Sequence, residues 1–114
     1  MKNLSIIFSL FFALYLPMAG LAKGETTKTS FYVNGNCNMC KKTIETAAKK
    51  SGANSAFWDS KSQQITVTFS TQKTSLDSIQ KSIANAGYDN VKYKAPEQVY
   101  QQLPDCCQYT RKQE

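Results

Sequence analysis

Short runs in which apolar and polar residues alternate predict the strands of this chain. The clearest run is Gln64–Phe69, where Ile65, Val67 and Phe69 are separated by threonines, as expected for a strand with one buried face. The other runs contain β-branched or aromatic residues and are bounded by turn-forming residues. The predicted strands cover Thr29–Val33, Ala53–Asp59, Gln64–Phe69 and Asn90–Lys94.

Two other runs have the period of an α-helix. The first covers Asn38–Lys50, keeps its small and apolar residues on one face, and ends before Gly52. The second begins where Thr74 and Asp77 have the spacing of a capping box, and it ends at Gly87. The apolar faces consist of Ile44, Ala47 and Ala48 in the first helix and of Leu76, Ile79, Ile83 and Ala86 in the second.

The resulting order of elements, β-α-β-β-α-β, is that of the ferredoxin-like split motif. One apolar face per strand and one apolar stripe per helix suit helices packed on one side of an antiparallel sheet. We therefore predict an α+β fold of ferredoxin-like βαββαβ order, with an antiparallel four-stranded sheet and two helices on one face. Residues 95–114 form a C-terminal tail outside this unit, with a predicted short helix over Glu97–Leu103 before Pro104.

The first residues have the pattern of a secretory signal peptide. Lys2 precedes the apolar run Leu4–Leu16, and the small residues Gly20 and Ala22 suit cleavage after position 22. The apolar run is shorter than the about 20 residues that a membrane-spanning helix needs. We therefore predict that residues 1–22 are a cleaved signal peptide and that the protein is periplasmic or secreted.

The charged residues argue against several classes of function. Without Lys2 the chain has 13 basic and 8 acidic residues and a net charge of +5, and the basic residues are dispersed without interleaved aromatics. We therefore expect no nucleic-acid partner. The chain contains no histidine, which excludes His-based catalysis, and its acidic residues form no cluster with the spacing of a hard-metal site.

The four cysteines are the candidate chemistry. Cys37 and Cys40 lie at the predicted start of the first helix, Cys106 and Cys107 lie in the tail, and residues 41–105 contain none. This distribution indicates a local site rather than a disulfide framework. Two residues between thiols allow both sulfurs to face one point, where they can hold a soft metal ion or form a disulfide. The helix start favours the thiolate form.

The strand–loop–CxxC–helix of Phe31–Glu45, the order of elements and the Ala86-Gly87-Tyr88 segment resemble the heavy-metal-associated domain family. That family includes copper chaperones, the amino-terminal domains of metal-pumping ATPases and the periplasmic mercury-binding protein. The resemblance covers about Thr27–Lys94 and implies a heavy-metal-associated domain over residues 23–94. It implies that Cys37 and Cys40 bind one soft ion, usually Cu(I), in near-linear geometry. It also implies that Tyr88 lies close to the metal loop.

The metal loop departs from the family pattern at two positions. Gly35 stands where the family usually has Met, and Asn36 stands where zinc- and cadmium-selective members often carry Asp. Zinc prefers about four ligands, whereas Cu(I) and Hg(II) accept two thiolates. We therefore expect Cu(I) as the cargo, with Hg(II) as the second candidate and Zn(II) behind both. Met39 adds a thioether between the cysteines, unless its side chain packs into the core.

Two other interpretations of the Cys37/Cys40 pair stay open. A thiol–disulfide oxidoreductase also places a CxxC pair at a helix start, but this loop lacks the Trp-Cys-Gly-Pro-Cys character of such enzymes. The third interpretation is a structural disulfide.

For Cys106 and Cys107 the alternatives are also open. One of them supplies a third thiolate to the site, one forms a disulfide with a loop cysteine, or the two make an independent pair. We list Cys106, Cys107, Tyr88 and Met39 as possible accessory residues for metal binding or redox chemistry.

The sequence thus predicts an exported, non-enzymatic protein that captures a soft metal through Cys37 and Cys40. Transfer to a metal transporter or another metal-binding domain would proceed by thiolate exchange. We expect no small-molecule organic substrate. The expected state is a monomer, with a metal-bridged dimer as the alternative.

Overall fold

The computed structural model describes residues 25–111, which contain an antiparallel sheet with helices on one face. Three strands, β1 (Thr26–Tyr32), β2 (Ser55–Asp59) and β3 (Gln64–Ser70), pair in the order β1–β3–β2. The apolar residues of β3 are buried and its threonines are half-buried, as their alternation predicts. The α+β class with an antiparallel sheet is therefore confirmed. The predicted signal peptide, residues 1–22, lies outside the described residues.

The predicted fourth strand over Asn90–Lys94 is present only as one bridge, between Asn90 and Val33. Beyond that bridge, the Asn90 side-chain oxygen accepts hydrogen bonds from the backbone N–H groups of Lys92 and Tyr93, both at 3.2 Å. Such local side-chain bonds offer the backbone an alternative to a strand ladder. The described residues therefore form three strands and a bridge where a four-stranded sheet was predicted.

The first helix, α1 (Asn38–Lys50), has the predicted bounds and buries one face that includes Ile44 and Ala48. The chain leaves it through Gly52, whose φ of 114° is unfavourable for any residue with a side chain. The Ser82 hydroxyl donates a hydrogen bond to the Ala47 carbonyl of α1 at 3.0 Å. Since Ser82 belongs to the second helix, this bond ties the two helices together.

The second helix, α2 (Leu76–Asn85), begins one residue later than its predicted cap implies. Ser75 is the N-cap, and its hydroxyl oxygen accepts a hydrogen bond from the Ser78 N–H at 3.1 Å. The predicted cap at Thr74 is wrong because the Thr74 side chain packs against Gly52, within 2.8 Å of where a Cβ would stand.

The sheet and helices enclose one hydrophobic core, and the tail contributes to it. The tail contains α3 (Glu97–Gln101), shorter than predicted, and a 3₁₀ turn (Asp105–Cys107) after Pro104. Cys107 and Tyr109 are buried with the residues of the βαββα unit. No helix within residues 25–111 is long and apolar enough to cross a membrane.

Hydrogen bonds from Tyr109 and Arg111 hold the tail against the chain that follows α2. The Tyr109 hydroxyl donates to the Gly87 carbonyl at 2.7 Å and accepts from the Asp89 N–H at 2.9 Å. The Arg111 guanidinium donates two bonds to the Asp89 carboxylate, at 2.9 and 2.6 Å, and one to the Ala95 carbonyl at 2.8 Å.

The Asp89–Arg111 pair makes the stability of the fold depend on pH. Burial alone would raise the pKa of Asp89, but hydrogen bonds from Arg111 and the Ala95 N–H lower it overall. This stabilisation is fully present above the unfolded-state pKa of about 3.9 and is lost as pH falls through the lower folded-state pKa. We expect Asp89→Asn to cost about 2 kcal/mol of unfolding free energy at pH 7, and less as the pH approaches 3. Urea unfolding of the reduced protein, followed by Trp58 fluorescence, measures this.

Asp77→Asn is the matched control, because Asp77 pairs with Lys92 on an exposed surface. Its loss should cost less than about 1 kcal/mol. Equal losses in the two variants at pH 7 would contradict the structural role given to Asp89.

Candidate metal centre

Cys37 and Cys40 lie where the loop after β1 enters α1. Cys37 is the N-cap residue in an extended conformation, and no side chain caps the first amides of the helix. Cys40 lies in the first turn and is fully buried, whereas Cys37 is half-buried. Their sulfur atoms are 3.5 Å apart. The helix start thus presents one accessible and one inaccessible sulfur at a single point.

The helix start also ionises Cys37. The pKa of the Cys37 thiol is lowered to about 7. The hydrogen bond from the Cys40 backbone N–H lowers this pKa most, burial raises it, and the hydrogen bond with the Cys40 thiol lowers it further. The free amides of a first helical turn stabilise a negative charge in this way. A large part of Cys37 is therefore thiolate at neutral pH, the form that binds metals and attacks electrophiles.

The tail brings a third sulfur to this point. The Cys107 sulfur lies 3.8 Å from that of Cys37, and the sulfurs of Cys37, Cys40 and Cys107 all lie within 4.8 Å of one another. All four cysteines are free thiols, because these distances far exceed the about 2.05 Å of a disulfide bond. Burial raises the pKa of Cys107.

Cys106 and Met39 lie on the outer side of the cluster. Both are exposed, and their sulfur atoms are 3.9 Å apart. The contact with the Cys37 thiol raises the pKa of Cys106. Since 52% of Met39 is exposed, the interpretation that its side chain packs into the core is wrong.

Tyr88 lies on the buried side of the cysteine cluster. It is 1% exposed, and its ring stacks on that of Tyr109 at 5.7 Å between centroids. Burial raises the pKa of Tyr88, and interactions of its hydroxyl with Cys107 and Cys40 raise it further. The hydroxyl therefore stays protonated and can donate to a thiolate.

The Trp58 side chain packs against the loop that leads to Cys37. Its indole N–H donates to the Val33 carbonyl at 2.9 Å, and its ring lies 3.0 Å from where a Cβ of Gly35 would stand. The Gln63 side chain accepts a hydrogen bond from the Gly35 N–H at 3.0 Å. Trp58 and Ile44 therefore take the space beside Gly35, where the resemblance leads one to expect Met.

The Lys41 side chain contacts Glu45, Trp58 and Phe57. Its ammonium group contacts the Glu45 carboxylate at 2.5 Å and the Trp58 carbonyl at 2.9 Å, and lies 3.6 Å from the centre of the Phe57 ring. Phe57 itself is 60% exposed.

The tail residues behind Cys107 are the part of the centre that sequence reasoning missed. Tyr109 lies under Tyr88, and Asn34 donates a hydrogen bond to the Thr110 carbonyl at 3.0 Å. The available signal was an aromatic residue two positions after a cysteine pair, in an otherwise polar run over residues 108–114.

Comparison with known proteins gives one family. The sequence model described as heavy-metal-associated domain matches residues 30–89, a range that includes Cys37, Cys40 and Tyr88 and ends before the tail cysteines. No match was found among the curated proteins compared with the chain.

Solved structures of metal-handling proteins are similar to this one. The CopZ metallochaperone has 27% identity and a TM-score of 0.54, over 57% of this chain and 100% of that chain. Oxidized MerP from Ralstonia metallidurans CH34 has 31% identity and a TM-score of 0.54, over 58% and 94%. The water-soluble region of the P-type ATPase CopA from Bacillus subtilis has 25% identity and a TM-score of 0.56, over 61% and 48%.

The ionisation of Cys37 predicts which thiol reacts first with an alkylating agent. In the reduced, metal-free protein we expect iodoacetamide to modify Cys37 with a rate that rises through a midpoint near pH 7. At pH 7 Cys37 should react roughly fivefold faster than Cys106, because its larger thiolate fraction outweighs the lower nucleophilicity of a low-pKa thiol. Peptide mass spectrometry after timed quenching gives both rates.

Cys106 is the internal control, since it is more exposed than Cys37 but has a raised pKa. Faster modification of Cys106 at pH 7 would show that exposure, not ionisation, governs reactivity here.

Proposed function

The chain belongs to the heavy-metal-associated domain family, and on this basis we propose that it is an exported protein that captures Cu(I) through Cys37 and Cys40 and passes it on. The observation that carries the proposal is the pair of sulfurs, 3.5 Å apart, at an uncapped helix start. Hg(II) is the second candidate cargo. The acceptor is a metal transporter or another metal-binding domain.

The chemistry of the donors favours a soft ion. The one group of potential metal-binding side chains found among residues 25–111 consists of cysteines alone. Thiolates select soft ions of low coordination number, such as Cu(I). Zn(II) prefers four ligands, commonly completed by His or carboxylate, and Asn36 offers only an amide at this loop.

The unequal burial of the two sulfurs suggests a route for transfer. Cys37 is half-buried and Cys40 is fully buried, so an acceptor thiolate first reaches an ion on its Cys37 side. The ion then passes through an intermediate with sulfur ligands from both proteins. No covalent bond within an organic substrate changes, so the proposal includes no enzymatic step.

The comparisons support a transporter or a sister domain as acceptor. The similar structures include a protein named as a metallochaperone and the soluble region of a P-type ATPase. Met39 and Lys42 are exposed beside the cysteine loop and offer an apolar and a cationic contact. We propose that the protein acts as a monomer in the periplasm or outside the cell.

A thiol–disulfide oxidoreductase is the second candidate, favoured by one observation. The Cys37 pKa of about 7 and the adjacent Cys40 thiol are also what disulfide exchange requires.

Anaerobic Cu(I) titration separates the two functions. We expect the reduced protein to bind one Cu(I) per chain, and Cys37→Ser and Cys40→Ser each to weaken binding more than about 100-fold, because a direct ligand is lost. Competition against a chromophoric Cu(I) chelator measures the affinity. Insulin reduction, run in parallel, should show no turnover above the dithiothreitol background.

Cys106→Ser is the control that removes a thiol but leaves the Cys37/Cys40 pair intact, and it should keep its affinity within about twofold. Rapid insulin reduction without tight Cu(I) binding would overturn the metal proposal in favour of the oxidoreductase.

A further inference from the structure

We infer that Cys107 is a third thiolate ligand, so that the tail converts the two-cysteine loop into a closed three-sulfur site for Cu(I) or Hg(II). This inference rests on the proposed function and specifies the site further. The residues matched to the family end at position 89, so the third ligand comes from a part of the chain that the family model does not match.

The distances between the sulfurs fit three ligands better than two. For a metal–sulfur bond of about 2.3 Å, two sulfurs lie about 4.6 Å apart in a linear site and about 4.0 Å apart in a trigonal one. Here the Cys37 sulfur lies 3.5 Å from that of Cys40 and 3.8 Å from that of Cys107. A trigonal ion therefore needs smaller movements of the sulfurs than a linear one.

Protein contacts alone hold Cys107 in this position. The Cys107 N–H closes the 3₁₀ turn by donating to the Pro104 carbonyl at 2.8 Å. Two residues later, the buried Tyr109 hydroxyl makes two backbone hydrogen bonds, and the Tyr109 carbonyl accepts a bond from Tyr100 at 2.5 Å. These hydrogen bonds fix the segment that carries the third sulfur, and such preorganisation lowers the cost of ordering it on binding.

The two tail cysteines have different surroundings. The Cys107 sulfur is fully buried against Cys37, Cys40 and Tyr88, whereas Cys106 is exposed beside Met39. The Cys106 carbonyl accepts a hydrogen bond from the Asn36 side-chain amide at 3.5 Å and, while Cys37 is protonated, one from the Cys37 thiol at 3.4 Å. The backbone of Cys106 therefore docks the tail on the loop, and the side chain of Cys107 completes the site.

A buried cysteine can also serve only as a small apolar side chain. Packing alone, however, would not require the buried sulfur to lie beside two others. The two roles differ in the number of sulfurs around a bound ion.

The test is X-ray absorption at the copper edge on the reduced full-length protein, loaded with one equivalent of Cu(I) and freed of reductant by gel filtration. We expect three sulfur ligands in the unchanged protein and in Cys106→Ser, and two in Cys107→Ser. Chelator competition should show at least a tenfold loss of affinity for Cys107→Ser and less than a twofold change for Cys106→Ser.

Two sulfurs in the unchanged protein would overturn the inference while leaving the Cu(I) proposal intact. Three sulfurs in Cys107→Ser would assign the third ligand to another sulfur, from Cys106, Met39 or a second copy of the chain, and would also overturn it. Absence of Cu(I) binding in the unchanged protein would overturn both proposals. If Cys107→Ser does not fold, the sulfur count of Cys106→Ser decides, because Cys107 is then the one cysteine left in the tail: three sulfurs support the inference and two overturn it.

Discussion

A buried hydroxyl group, together with the Arg111 side chain, fixes the position of the tail. Tyr109 donates to the Gly87 carbonyl and accepts from the Asp89 N–H, both in the segment that leads toward the missing fourth strand. Buried backbone groups need partners, and here a side chain supplies them where a strand ladder does not. The same residue supports the ring of Tyr88 and lies two positions after Cys107. The same residue therefore takes part in three features: the absence of a ladder for the predicted fourth strand, the docking of the tail, and the position of the Cys107 sulfur.

The sulfur-containing residues of the centre differ in how far they are exposed to solvent. Met39 and Cys106 are exposed, Cys37 is half-buried, and Cys40 and Cys107 are fully buried. The thiol with the lowered pKa, Cys37, lies between the two groups. An incoming ion therefore meets the exposed Met39 and Cys106 first, the ionised Cys37 next, and the buried Cys40 and Cys107 last.

The sequence pattern predicted correctly those elements that depend mainly on residues close together in the chain. The alternation in β3 and the helical stripe of α1 gave the right elements, and the position of Cys37 and Cys40 at a helix start was correct. The cap of α2 was misplaced by one residue, because the Thr74–Asp77 spacing was preferred over Ser75, although Ser is a somewhat better N-cap than Thr. The choice between them depends on Gly52, which is distant in sequence and leaves no mark on the local pattern.

Contacts across the chain could not be predicted in this way. Asn90 ends its strand by bonding to its own neighbours, and Tyr109 enters the core from a polar segment. Both outcomes depend on which partners the folded chain brings together.

The sequence separation of the cluster has a consequence for the order of events during synthesis. Cys107 follows Cys37 by 70 residues, so the loop thiols are made long before their third neighbour. If the protein is exported as proposed, the Cys37/Cys40 pair has only itself to react with until the tail folds, in a compartment that favours disulfides. Arrival of the tail then covers the pair. The time that the last segment needs to fold therefore sets how long the Cys37 and Cys40 thiols are open to oxidation.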